Sequence, residues 1–228
     1  MGSGAPVWIT RAQPGAATTA ERVAARGFSP IIDPLLVVEP IPARIDLSGV
    51  AALAFTSVNG VEGFTRCSGR RDLPVFTVGA ATASAAQGAG FSHTRSADGD
   101  VQALERLISD ARPGPVLWAG AETPAGDLVA GLRVRGLEAR GVAVYATVER
   151  SPSAATLALL GAPLAVLVYS PRAACVLARS LKNRVHADLR LLCLSPAVAA
   201  PLVEVNEPRF VAFAPRPDES SLLELLGA

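Results

Sequence analysis

Short uninterrupted apolar runs alternate along this chain with longer stretches whose apolar residues recur at helical spacing. That alternation predicts buried strands separated by amphipathic helices. The pattern also repeats. PVWITRAQPGAATTAERVAARG (Pro6 to Gly27) aligns without a gap on PVLWAGAETPAGDLVAGLRVRG (Pro115 to Gly136). Each reads as a strand, a turn and a helix stopped by glycine. AFTSVNGVEGF (Ala54 to Phe64) pairs with LVYSPRAACVL (Leu167 to Leu177), placing Ser57 over Ser170 at a strand exit. VFTVGAATA (Val75 to Ala83) pairs with LLCLSPAVA (Leu191 to Ala199). ADGDVQALERL and RPDESSLLELL both set acidic residues ahead of a leucine-rich helix, where the helix N-terminus favours negative charge.

The order of these units carries the topology. The middle of the chain holds all four consecutively and ends on its Pro-Val unit. The outer part has its Pro-Val unit at the N-terminus and the other three after Leu164. One domain inserted into another explains this, with the chain crossing between them at Ile31 to Pro40 and at Val142 to Pro152. Both crossings are β-rich and bounded by proline, and are expected to pair as a two-stranded linker. The expected architecture is α/β: two doubly wound parallel-sheet domains joined by that β linker. The outer domain takes residues 1–34 and 149–228, the inserted domain 41–142, and the linker strands 35–40 and 143–148. Ligands of such sheets bind beyond the carboxyl ends of the strands, so a cleft between the domains is the expected site.

Composition narrows the class. Half the residues are apolar and only 5% aromatic, which predicts an aliphatic core. The net charge is +1, with no block of like charge, which argues against a nucleic-acid surface. Cys67, Cys175 and Cys193 form no C-x-x-C pair and lie in apolar stretches, the pattern of buried free thiols in a reducing compartment. The start MGSGAPVW lacks the basic-then-apolar plan of a secretion signal. The uncharged runs Leu73 to Thr94 and Ser151 to Pro171 are interrupted by Gly, Ser, Thr or Pro, so no membrane span is expected. These features together predict a cytoplasmic location.

The turns beyond the strands are Thr10-Arg11, Thr56 to Asn59, Val78 to Thr82, Ala119-Gly120, Tyr169 to Arg172 and Leu194 to Pro196. They are small and hydroxylated and open onto helix starts, where unpaired N–H groups and the helix dipole both favour an anion. Ordinary capping by Ser and Thr explains any one of them equally well. Arg11 and Arg172 follow strands directly and are candidates to meet carboxylates, or else simply solvated arginines. G-x-G-x-x-G, P-loop and G-x-S-x-G motifs are all missing. His93 is expected at the end of a strand, and His186 lies in the charged, solvated stretch KNRVHADLR; neither has a metal-ligand partner at helical spacing. Carboxylates do not pair at matched strand ends. Tyr145, in the second crossing, is the one polar aromatic there, facing either cleft or solvent.

ITRAQP, FTSVNGV, VGAATASAAQGAGF, VLWAGAETPAGDL, VAVYATVE and VYSPRAA, in that order and spacing, resemble the uroporphyrinogen-III synthase family over essentially the whole chain. The resemblance implies two domains on a two-stranded linker and an activity needing no cofactor and no metal. It implies a small-molecule substrate, linear hydroxymethylbilane, closed with inversion of ring D and loss of water. No nucleic acid or membrane partner is implied, and the chain is expected to act as a monomer. Tyr145 matches the family's linker tyrosine, which assists hydroxyl departure. Thr82 matches the threonine of its V-G-x-x-T-A turn, and Ser57 and Ser170 match the hydroxyls at the two strand exits. The expected substrate contacts are therefore Arg11, Thr56, Ser57, Asn59, Gly79, Ala80, Thr82, Ala83, Ser170, Pro171 and Arg172. In the outer domain's equivalent turn Val198 stands where the family often has threonine, and Arg172 stands where a small polar residue is common. A bilobed small-anion binding protein and an inactive synthase-like scaffold are the competing expectations.

Overall fold

Apolar runs such as Leu164–Val168 and Ala52–Phe55, buried along their whole length, form strands covered on both faces. The computed structural model describes residues 4–182, 188–206 (side chains to 203) and 210–227. The chain divides into two compact units, Met1–Val37 with Val148–Ala228, and Val38–Thr147. In chain order the elements begin β1 (Pro6–Ile9), α1 (Gly15–Ala24), β2 (Ser29–Ile32) and β3 (Leu36–Pro40). Next come β4 (Ala52–Phe55), α2 (Val58–Cys67), β5 (Val75–Thr77), α3 (Ala80–Gly88) and β6 (Thr94–Ser96). Then follow α4 (Val101–Ala111), β7 (Val116–Ala121), α5 (Leu128–Val134) and β8 (Ala139–Glu149). The chain ends with α6 (Ala154–Ala158), β9 (Leu164–Val168), α7 (Pro171–Leu181), β10 (Leu189–Cys193), α8 (Pro196–Asn206), β11 (Phe210–Phe213) and α9 (Glu219–Glu224).

The first unit's sheet has the order β11-β10-β9-β1-β2, with parallel neighbours throughout. The second has β3-β8-β7-β4-β5-β6, parallel from β8 to β6. Replacing each strand by its repeat partner turns one order into the other: β2-β1-β9-β10-β11 becomes β8-β7-β4-β5-β6. The faces match as well. In the first unit Trp8, Val166 and Leu191 pack with α7 and α8, while Val7, Leu167 and Leu192 pack with α1 and α9. In the second, Leu53, Phe55 and Leu117 pack with α2 and α3, while Ala54, Val116 and Trp118 pack with α4 and α5. Alternate residues of one strand thus feed two cores, and each large side chain so buried contributes about 2 kcal/mol.

Local chemistry sets the helix ends. Gly27 and Gly136, at φ of +80° and +76°, close α1 and α5 alike. Phe28 N–H reaches back to Val23 O, and Leu137 N–H to Leu132 O, the six-to-one bond of a Schellman stop. Asp100 and Asp218 cap α4 and α9 through the N–H groups of Ala103 and Ser221, each at 2.8 Å.

Four details depart from the sequence expectations. The first crossing is split: Ile31 and Ile32 end β2, and β3 starts afresh at Leu36. The second starts earlier, because β8 runs from Ala139 and pairs with β7 before it leads onward. Leu35 O accepts from Arg150 N–H (2.9 Å) and Val144 O from Ile41 N–H (3.0 Å), so the crossing segments run in opposite senses. The core of the second unit is partly aromatic, since Phe55, Phe64 and Phe91 meet with centroids 5.6–6.1 Å apart. Of the cysteines only Cys193 is buried, and burial pushes its thiol up to about 12; Cys67 and Cys175 are partly exposed, and all three are free. Among the described residues no helix is long and apolar enough to cross a membrane.

Candidate functional site

Both sheets reverse their winding at one place: between β4 and β7 in the second unit, between β9 and β1 in the first. A doubly wound sheet opens a crevice there, at the carboxyl ends of its strands. In the second unit that edge is held from below by the phenylalanine trio. Thr56, just beyond β4, accepts from the indole N–H of Trp118 at 3.2 Å, a bond tying the β4 exit to β7. Ser57 caps α2, its Oγ accepting from Gly60 N–H at 3.1 Å. Asn59 lies in the first turn of that helix, half-buried.

Tyr145 is nine-tenths buried, on β8 rather than in solvent. Its hydroxyl lies 3.0 Å from Ser57 Oγ, and its carbonyl accepts from Glu122 N–H at 2.8 Å. Two glycines create the room for this arrangement. A Cβ on Gly60 would stand 2.7 Å from Ala119 O, and one on Gly63 would stand 2.8 Å from Val144 O. The close seat of α2 on β7 and β8 therefore puts Ser57 against Tyr145.

The β5 exit differs from both serine-capped ones. Gly79 occupies the cap of α3 without a side-chain bond, and open space surrounds it. Among the described residues the N–H groups of Ala80, Ala81 and Thr82 meet no acceptor, whereas Ala83 N–H bonds Gly79 O at 3.0 Å. Thr82 is 5% exposed, and its hydroxyl has no partner among the described residues. A buried unpaired hydroxyl beside three free amides is a cluster of donors suited to an anion or carbonyl oxygen.

In the first unit most of the expected contacts are already engaged. Thr10 Oγ1 donates to Leu167 O at 2.7 Å across the β1–β9 reversal. Ser170 caps α7 through Ala173 N–H at 3.2 Å, with Pro171 at the first helical position. Arg11 lies over the Tyr169 ring, 4.8 Å from its centroid, and donates to Glu219 at 2.9 Å. Arg172 pairs with Glu149 at 3.5 Å. Neither arginine is the solitary cation that its position after a strand suggested. Val198 is buried in α8, and its N–H bonds Ser195 O at 3.1 Å.

Glu219 was not singled out by sequence reasoning, because its partners lie in distant segments. It receives Arg11, Arg22, the Thr19 hydroxyl and the Tyr169 hydroxyl. Burial would push its carboxyl up. The Thr19 hydroxyl first, then the guanidiniums of Arg11 and Arg22, outweigh that and hold it below its ordinary 4.5. Burial foremost, with the Glu219 charge adding to it, raises the Tyr169 phenol to about 12. A carboxyl depressed by folding stabilises the folded state above its unfolded value and loses that contribution as pH falls through its folded value. Glu219→Gln is therefore expected to cost about 1–2 kcal/mol at pH 7. In urea melts the gap to wild type should narrow below pH 4.5. A gap that stays constant on acidification would contradict the pairing.

Three sequence expectations are corrected or fall outside the structure. Ala119 and Gly120 lie within β7, whose exit is at Ala121 and Glu122. His93 stands before β6 rather than at a strand end, and is exposed. His186 lies outside the described residues. No group of three or more His, Cys, Asp or Glu that could hold a metal occurs among the described residues.

Duplicated three-layer α/β units, one interrupting the other, with hydroxyl and amide donors at the serine- and glycine-capped strand exits, define the class. The profile of uroporphyrinogen-III synthase HemD (HEM4) matches residues 17–224, and the chain belongs to that family. The fold agrees. The uroporphyrinogen-III synthetase of Helicobacter pylori superposes with a TM-score of 0.66 at 17% identity, over 98% of each chain. A mutant uroporphyrinogen III synthase of Thermus thermophilus superposes at 0.52 and 18% identity, again over 98% of each. No curated protein sequence matches the chain significantly.

Proposed function

We infer that this chain carries out the reaction of its family: closing hydroxymethylbilane to uroporphyrinogen III with inversion of ring D and loss of water. The observation that carries the residue assignments is the Tyr145–Ser57 contact of 3.0 Å. It holds a phenolic donor at the carboxyl end of the second unit's sheet, the same unit whose α3 presents an open N-terminus. The Tyr145 hydroxyl gives its proton to the ring-A hydroxyl as the C–O bond breaks. Water leaves, and ring A becomes an azafulvene as its pyrrole N–H proton passes back to the Tyr145 phenolate. The substituted position of ring D then attacks, forming the spiro intermediate that rearranges to the inverted macrocycle. The bilane closes unassisted, but without inversion, so the protein's task is to hold one geometry.

Backbone N–H groups of α3 and the Thr82 hydroxyl suit the acetate and propionate carboxylates of such a substrate. In this reading Gly79, Ala80, Thr82 and Ala83 form one subsite. Thr56, Ser57 and Asn59 form the rim around Tyr145, and Ser170, Pro171 and Arg172 are the first unit's counterpart. Arg11 acts through its place over Tyr169. No cofactor takes part, and the chain works as a monomer in the cytoplasm, where its free thiols persist.

Supplying hydroxymethylbilane and separating the porphyrinogen isomers tests the activity. Isomer III is expected; the non-inverted isomer alone, as in a protein-free control, overturns it. Thr82→Val tests the subsite. It should raise KM about fivefold, while Tm stays level or rises, because the hydroxyl it removes is buried without a partner. A fall in Tm with KM unchanged would make Thr82 a packing residue instead.

A further inference from the structure

Arg172 follows β9 at a turn expected to meet substrate carboxylates, yet its guanidinium is held by a carboxylate of the same chain. Glu149, the last residue of β8, receives Arg172 through one oxygen at 3.5 Å and Arg179, two turns along α7, through the other. The three side chains are 49%, 61% and 40% exposed for Arg172, Arg179 and Glu149. Glu149 and Arg179 line a cleft of about 510 Å³ in the first unit, with Arg150, Val176, Ser180 and Lys182.

The charges in this cleft do not balance. Among the described residues Arg150, Arg179 and Lys182 line it against a single carboxylate, and that carboxylate is shared with Arg172. Among the described residues Arg150 and Lys182 have no acidic partner. The nearby Asp33 is 5% exposed and turned to Ser153 N–H at 2.8 Å, so it adds little to the compensation. Exposed ion pairs such as those of Glu149 hold weakly, and a second carboxylate exchanges with the first at little cost. Guanidinium forks are also the side chains best matched to carboxylates.

We propose that this cleft is a carboxylate-binding subsite that Glu149 fills from within the chain, and that an incoming carboxylate takes Arg172 and Arg179 by displacing it. That the carboxylate belongs to the bilane rests on the functional reading above; the affinity for carboxylates does not. Glu149 is thus a specificity-determining residue: it sets how much charge a ligand must bring before the arginines are released.

Isothermal titration of the full chain with propane-1,2,3-tricarboxylate, at low and high salt, tests the subsite without any turnover. Glu149→Gln should bind the probe about fivefold more tightly than wild type, since a competing charge is removed. Arg172→Ala/Arg179→Ala should lose the binding, and added salt should weaken it in wild type. Equal or weaker binding by Glu149→Gln overturns the proposal, as does wild-type affinity in the double arginine variant. With bilane as substrate, the Glu149→Gln effect should fall on KM rather than kcat. Tighter probe binding without isomer III would leave the subsite standing and remove the functional reading. Isomer III formed at unchanged KM would keep the functional reading and show that the carboxylate bound here is not the bilane's.

Discussion

Tyr145→Phe is expected to lower kcat by about 100-fold, the lower end of what a positioned proton donor contributes. KM should change little, and the isomer ratio should shift toward the non-inverted product. The fold should survive. The ring stays packed in the second unit's core, and what goes with the hydroxyl is its contact with Ser57 at 3.0 Å. Circular dichroism and Tm serve as the control. Ser57→Ala should show a weaker version of the same defect, because it removes the group that aims the phenol while leaving the phenol in place. Unchanged kinetics in Tyr145→Phe would take the residue out of the mechanism.

The second large effect is structural. Gly63→Ala adds a methyl 2.8 Å from both Val144 O and Val144 Cβ, neither of which moves without shifting β8. Alanine is the better helix former by about 1 kcal/mol, but overpacking against backbone costs up to about 3 kcal/mol. A net loss of about 2 kcal/mol, or about 5 °C in Tm, is expected. Activity should fall further than stability does, because the strand pushed aside is the one that carries Tyr145. If Tm holds while activity drops, the shift is confined to β8; if both hold, the seat of α2 is looser than described.

Much of the fold was legible because duplication writes the same pattern twice. The glycine stops at Gly27 and Gly136, the serine caps at Ser57 and Ser170 and the acidic caps at Asp100 and Asp218 recur where the paired sequences place them. Strand limits were less legible. β7 runs through Gly120, since the Trp118 ring lies where a Cβ at that position would be, and no local pattern announces such a contact. At the candidate site the repeat and its turns led to Thr82, which is buried with an unpaired hydroxyl among the described residues, and to Tyr145, whose hydroxyl meets Ser57. The site was not legible where partners come from afar. Arg11 reads as a free cation until α9 brings Glu219 to it across 208 positions, and Arg172 until the end of β8 brings Glu149. Pairing of charges distant in sequence leaves no periodic trace, so both arginines looked more available than they are.

The interruption of one unit by the other also dictates a sequence of events as the chain leaves the ribosome. Strand β1 emerges ahead of the inserted unit, but its neighbour β9 lies beyond the whole of Val38–Thr147. The inserted unit holds its own β4–β8 contiguously and has little loop-closure entropy to overcome, so it closes while β1 is still waiting. Trp8, fully buried in the finished core, spends that interval uncovered. The segment Pro6–Ile32 is therefore exposed to chaperones and proteases for longer than the strands of the inserted unit. Slowing the inserted unit lengthens that exposure even when the finished protein is no less stable.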